Sequence, residues 1–366
     1  MKLTKLEAIR GFAAVYVVFH HAFSKGLLIG GRDFSVIFRF GQEAVILFFL
    51  LSGFVIRYAY ERSKDKSFTT FFLKRFLRIY IPLLLVFAAD YVLQSVYNGG
   101  AIPINWGTLG GNLLMLQDSS TLKPNVICGQ FLGNQPLWSL SYEWWFYMIF
   151  IGIMLAVKKT KRLSLYVYIA GTLSALTYLF YPNFINREVM YLVIWWAGSD
   201  LAILYLNRQK MTLGTMRVPL AALLVNMLIL TLNVRMHNYH VSVGYSPYLE
   251  LRHFSFALVS VLAAIGWNRL KWVGFDRTLG LFEPIASISF GIYITHWFLI
   301  VRAHYLDGII QQPVLRFLLY TVGCLLFSYL LERVVYVWLN KRIMNAYFSR
   351  KALSSPSNRI PVSPVN

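Results

Sequence analysis

The sequence predicts an all-α, polytopic transmembrane helix bundle of about ten spans with both termini cytoplasmic. Three observations carry that expectation. The 366 residues are 57% hydrophobic and 17% aromatic, and only 14% are charged, a composition suited to lipid rather than water. Apolar runs long enough to span recur at 6–27, 41–60, 77–96, 138–157, 163–181, 188–206, 216–234, 250–267, 285–303 and 313–339. Of the 35 lysines and arginines, 26 then fall on the side of the N-terminus and nine on the other, as the positive-inside rule requires. The net charge of +20 is accounted for by such cytoplasmic segments, so a nucleic-acid partner is not expected. Cys128 and Cys324 have neither the number nor the spacing of a disulfide framework or a metal site. We expect one transmembrane domain over 1–345 and a disordered cytoplasmic tail over 346–366, rich in Ser and Pro. The first run lacks a cleavage site and is expected to stay in the mature protein.

The first span, LEAIRGFAAVYVVFHHA, carries Arg10 and the pair His20–His21 in an otherwise apolar run. Eleven residues separate Arg10 from His21, which returns a helix to within about 20° of the same face, ~16 Å along the axis. His20 falls about 80° away, so it is expected to make a structural contact. A permanent cation and an imidazole on one stripe at membrane depth are costly unless used. The third span opens with Arg75 and Arg78, neighbours on one helical face, beside ordinary boundary residues such as Arg62 and Lys74. The long connection 97–137 is expected to contain a short helix around Thr108–Leu116. The fourth span places Glu143 about 8 Å from its outer end, at a depth comparable with His21. His296 falls near the middle of the ninth span. Asp200, Glu43, Asp90 and Glu332 are expected to be structural, Asp200 by pairing with a cytoplasmic arginine. Trp144, Trp145, Trp195 and Trp196 are expected at interfaces or in packing. A zinc site at His237, His240 and His253 is discounted, because the spacing supplies no fourth ligand.

Five segments, in order, resemble the motifs of the membrane-bound acyltransferase-3 family. They are the first span with Arg10 and His21, GQEAVILFFLLSGFVI (Gly41 to Ile56), FFLKRFLRIYIP with Arg75 and Arg78, LWSLSYEWWFY with Ser139 and Glu143, and SISFGIYITHW with Ser289, Tyr293 and His296. The chain departs from the family pattern at Ala44 and Ile46, at Trp144, and at Val334. Tyr142–Glu143 followed by aromatics is closer to the exopolysaccharide-modifying branch.

The resemblance implies a multi-pass enzyme of the bacterial inner membrane. Such an enzyme moves an acyl group, most often acetyl, from cytoplasmic acyl-CoA to a carbohydrate hydroxyl: exopolysaccharide, O-antigen or a lipid-linked sugar. Acetyl-CoA would be a co-substrate, with no permanently bound cofactor and no metal. On this reading His21 is the general base, with an acyl-histidine intermediate left open. Glu143 would orient His21, stabilise its imidazolium or grip the sugar. Arg75, Arg78 and Arg10 would hold the CoA phosphates. Ser139, Ser289, Tyr293 and His296 would line the site. The rival from another class is a transporter of a small anionic or sugar solute, since buried Arg, His and Glu also mark substrate paths; no internal repeat supports it. A catalytically dead scaffold is the third reading, opposed by the intact set of candidate residues.

Overall fold

The structure, a computed structural model, describes residues 3–24, 26–157, 160, 162–236 and 243–353. It is helical nearly throughout, because in lipid a helix satisfies its own backbone groups. The helices are α1 (Thr4–Phe23), α2 (Gly41–Arg62), α3 (Phe68–Tyr97), α4 (Trp106–Leu113), α5 (Trp138–Ala156), α6 (Leu163–Phe180), α7 (Phe184–Leu206), α8 (Arg217–Met236), α9 (Tyr248–Arg269), α10 (Ser289–His296), α11 (Pro313–Tyr329) and α12 (Tyr336–Leu353). Among the described residues nine helical segments are long and apolar enough to cross a membrane. They coincide with the second to tenth expected spans. The first expected span is α1, of similar length but carrying Lys5, Glu7 and Arg10 in its first two turns.

At the centre α2 crosses α7, and α6, α8 and α9 extend the bundle on one side. The crossing is close because two glycines face backbone. A Cβ on Gly53 would strike the Trp195 carbonyl oxygen, and one on Gly198 the Leu50 carbonyl oxygen. Small residues at helix contacts are the usual route to close packing in membranes, where lipid tails are as apolar as the side chains. Gly198→Ala should therefore force α2 and α7 apart and cost about 1–3 kcal/mol. A fall in the melting temperature of the detergent-solubilised protein would register it, and an unchanged melt would show that the crossing relaxes freely.

The ninth span is not one regular helix. It runs as a 3₁₀ segment (Leu279–Ile288), then α10, then a π-helical turn (Trp297–Val301). Pro284 lies within the 3₁₀ segment, and ten residues is long for that geometry. Irregular backbone at this depth persists only where protein covers it, and α1 supplies the cover. Gly11 is the point of closest approach, with no room for a Cβ against the Phe282 carbonyl. The loosened turns leave carbonyls free for side chains: Ala286 O accepts from Arg10 Nη2 at 2.8 Å and from Ser289 Oγ at 2.9 Å.

Four details depart from expectation. First, α3 begins at Phe68, nine residues before the expected span, because the Ser67 side chain caps it by accepting from Thr70 N. Arg75 and Arg78 thus lie inside a helix rather than at its edge. Second, α12 runs to Leu353, eight residues beyond the expected domain end. It is held to the start of α3 by Tyr347 on Thr70 (3.1 Å) and Lys351 on Asp65 (2.5 Å); residues 354–366 of the expected tail lie outside the described set. Third, a two-stranded hairpin, β1 (Leu28–Ile29) with β2 (Arg32–Asp33), follows α1. Its turn is Gly30–Gly31 at φ 56° and 81°, the left-handed pair that a tight hairpin demands. Fourth, the 97–137 connection is not a surface loop. It contains the expected short helix as α4, but Met115, Gln117 and Leu137 are fully buried.

That connection is pinned by its own polar network. Asp118 takes Lys123 Nζ at 3.0 Å, Arg187 Nε at 3.2 Å and the Tyr142 hydroxyl at 2.6 Å. Asn134 Nδ2 donates to Ile294 O at 3.0 Å, tying the connection to α10. Charges so placed persist in the interior because each is paired and hydrogen-bonded.

Candidate active site

Both marked residues of α1 face the ninth span, as the helical step implies. Arg10 reaches Ala286 O, and one stripe further on His21 Nδ1 meets His296 Nε2 at 2.9 Å. The two rings are nearly parallel, 23° between planes, with centroids 5.1 Å apart. His20 turns away to Phe38 O at 2.6 Å, in the structural role expected of it.

A cavity of about 500 Å³ lies between α1, α2, α3, α5, α10 and α12. Seven of the nine candidate residues line it: Arg10, Arg75, Arg78, Ser139, Glu143, Ser289 and Tyr293. With Lys74 the lining holds four basic residues against two acidic ones, Glu7 and Glu143, so the space favours an anion. The helical period explains the convergence on α5, where Ser139, Glu143 and Tyr147 recur every fourth residue on one face. Ser289 and Tyr293 repeat that spacing on α10.

The three arginines differ in what they touch. Arg78 is committed: its Nη1 pairs with Glu332 Oε2 at 2.7 Å, and its guanidinium lies over Phe290 and Tyr336. Glu332 also accepts from Gly291 N, so this ion pair bridges α3, α10 and the last span. Among the described residues Arg75 has no ion pair. Its Nε is buried without an acceptor, and the guanidinium lies 5.9 Å from the Phe71 and Tyr147 ring centroids. Arg10 Nε is likewise buried without a partner. Unpaired buried donors are expensive, and an anionic ligand would complete them.

Glu143 is held by hydroxyls. The Tyr147 hydroxyl donates to its Oε1, Ser52 Oγ donates to the same oxygen at 3.2 Å, and Trp195 Nε1 donates to Ser52 Oγ at 3.1 Å. It faces the cationic cavity, and the hydrogen-bonding partner of His21 is His296, not Glu143 as one sequence reading expected. Equal depth along two helices does not make them neighbours.

Tyr293 links the two parts of the site. It lines the cavity, its hydroxyl meets Ser139 Oγ at 2.7 Å and Pro136 O at 2.7 Å, and its ring centroid is 6.2 Å from His296. Beyond it, Trp297 stands edge to face with His21 at 5.1 Å, and its buried indole Nε1–H has no acceptor among the described residues. Sequence reading passed over Ser52, Tyr147, Glu332 as the Arg78 partner, and Trp297. For Tyr147 the fourfold spacing from Glu143 was the available signal, and for Ser52 its polarity within an apolar run.

The other acidic residues singled out in the sequence have protein partners, though not always those expected. Asp200 accepts from the Ser164 and Tyr168 hydroxyls at 2.6 and 2.7 Å rather than from an arginine. Glu43 pairs with Arg252, and Asp90 accepts from Gln94 at 2.7 Å. His253 is fully buried against the Tyr191 hydroxyl at 2.6 Å; His237 and His240 lie outside the described residues.

Fold and site together define a polytopic membrane protein with a basic cavity whose Tyr293 wall adjoins a histidine pair. The chain belongs to the acyltransferase-3 family: the family model described as an acyltransferase domain matches residues 3–333. Among curated proteins, it is similar to the acyltransferase MdmB of Streptomyces mycarofaciens, 35% identical over 158 residues, 41% of this chain and 38% of that one. It is also similar to nodulation protein 10 of Rhizobium leguminosarum bv. viciae, 29% identical over 171 residues, 43% of this chain and 45% of that one. The match thus spans less than half the length of either relative. No solved structure matches the chain.

Proposed function

We propose that this protein is a membrane O-acyltransferase of the bacterial inner membrane. It takes an acyl group, in the first place acetyl, from cytoplasmic acyl-CoA and transfers it to a hydroxyl of a cell-surface or lipid-linked carbohydrate. The observation that carries this reading is Arg75, half-buried with its Nε buried and no ion pair among the described residues, in a cavity whose Tyr293 wall abuts the His21–His296 pair. Arg75 and Arg10 bind phosphates of the donor by charge-assisted hydrogen bonds, and Arg78, held by Glu332, shapes that wall. The pantetheine arm passes Glu143 and Tyr293 to bring the thioester to His21.

There the imidazole takes the proton of the acceptor hydroxyl as its oxygen attacks the thioester carbonyl carbon. The C–S bond of the tetrahedral adduct then breaks, and the CoA sulfur leaves with a proton returned by the imidazolium. Glu143 offsets the charge of the arginines and orients the donor through the Ser52 and Tyr147 hydroxyls. The similarity to the Streptomyces acyltransferase supports the reaction class.

Purified protein given acetyl-CoA and a polysaccharide acceptor should release free thiol and yield an O-acetylated glycan. Loss of an O-acetyl NMR signal from the surface glycan of a deletion strain is the companion result. The broken ninth span is a feature that solute transporters share; a transporter would leave the thioester intact and move solute across liposomes, and that outcome would overturn the assignment.

A further inference from the structure

We propose that His296 is a positioning residue that holds His21 as its Nδ1–H tautomer, so that His21 Nε2 is the only atom able to act as base. The inference rests on the role given to His21 above and deepens it. It starts from a carbonyl. His296 Nδ1 lies 3.0 Å from Ile292 O, and a carbonyl oxygen can only accept, so the proton of His296 sits on Nδ1.

A neutral imidazole has one N–H and one acceptor nitrogen, which leaves His296 Nε2 with a lone pair. That atom faces His21 Nδ1 at 2.9 Å. Two lone pairs cannot face each other at this distance, so His21 Nδ1 carries the proton and donates. His21 Nε2 is then the unprotonated nitrogen. The helix itself sets the chain of bonds: Ile292 and His296 are four residues apart on α10, and α10 packs against α1. His296 is fully buried while His21 is only partly so, so the inner ring is the fixed member and the outer ring the reacting one. A base with one defined lone pair loses nothing to the wrong tautomer, a fault that costs up to about 10⁴-fold where an orienting partner is removed.

Two measurements test this. The first is ¹⁵N NMR of the histidine-labelled wild-type protein, with a His21→Asn variant to assign the resonances. His21 should show a protonated Nδ1 and a bare Nε2; a protonated Nε2 would overturn the proposal. The second is steady-state kinetics. His296→Leu should lower kcat by about 10²-fold or more with KM for acetyl-CoA within about twofold, a split that general loosening of the fold would not give. His296→Gln, whose amide oxygen can accept the His21 proton, should recover much of that loss. Full activity in His296→Leu with inactive His21→Ala would remove this proposal and leave the assigned reaction standing. Full activity in both would remove the reaction mechanism itself.

Discussion

Purified His21→Ala is expected to lose acyl transfer by about 10²–10⁴-fold, the usual worth of a positioned general base, while binding acetyl-CoA almost as well as wild type. The split follows from the layout. His21 does not line the cationic cavity; it meets His296 and Trp297 behind Tyr293. Its removal therefore strips the proposed proton acceptor and leaves the arginines proposed to bind phosphate in place. Thiol release with acceptor present reports the first effect, and calorimetric titration of acetyl-CoA the second. The ring also meets Nε2 of fully buried His296, so the truncation leaves that nitrogen unpaired and should destabilise the protein by about 1–3 kcal/mol with the fold retained. A fully active His21→Ala protein would sink the mechanism, and a variant that also failed to bind donor would move His21 into the donor site.

Arg75→Ala and Arg78→Ala should fail in different ways, although both residues are arginines one helical turn apart on α3. Arg75 has no ion pair among the described residues and keeps a buried Nε without an acceptor. Its loss should leave folding intact and weaken acetyl-CoA binding by about 1.5–3 kcal/mol, the range for a hydrogen bond to a charged group, or roughly 10- to 150-fold. Arg75→Lys should recover only part, because an ammonium retains the charge but not the planar fork. Arg78 is different because Glu332 depends on it. Removing the guanidinium leaves Glu332, 3% exposed, without an ion pair among the described residues and hydrogen-bonded to Gly291 N. Breaking a buried pair from one side costs about 3–5 kcal/mol, so Arg78→Ala should show a depressed melt and low yield. Arg78→Ala with Glu332→Gln should regain stability. Equal donor affinities and equal melts for the two single variants would contradict this division.

Much of the bundle was legible in the sequence. The ten apolar runs became helices, the eleven-residue step chose His21 over His20, and α4 formed where a short helix was expected. These are local properties. A helix in lipid closes its own hydrogen bonds, and the angle between two residues on it depends only on their separation. Helix ends were less legible. The start of α3 is set by the Ser67 cap and the end of α12 by Asp65 and Thr70, neither of which is a matter of hydropathy. The buried state of 97–137 was hidden for a related reason: Asp118 and Lys123 look like loop residues until Arg187, from another helix, completes the set.

The site divides along the same line. By itself the sequence singled out the candidate residues, because Arg, His and Glu in apolar runs are costly unless paired or used. It also determined that Arg10 and His21 share a face. Only the tertiary structure decided the partners. Hydropathy and period specify each helix's own axis and faces, but not the order in which ten helices stand side by side. That order put His296, 275 residues away in the chain, on His21 instead of Glu143. It gave Glu332 to Arg78 and left Arg75 without an ion pair among the described residues.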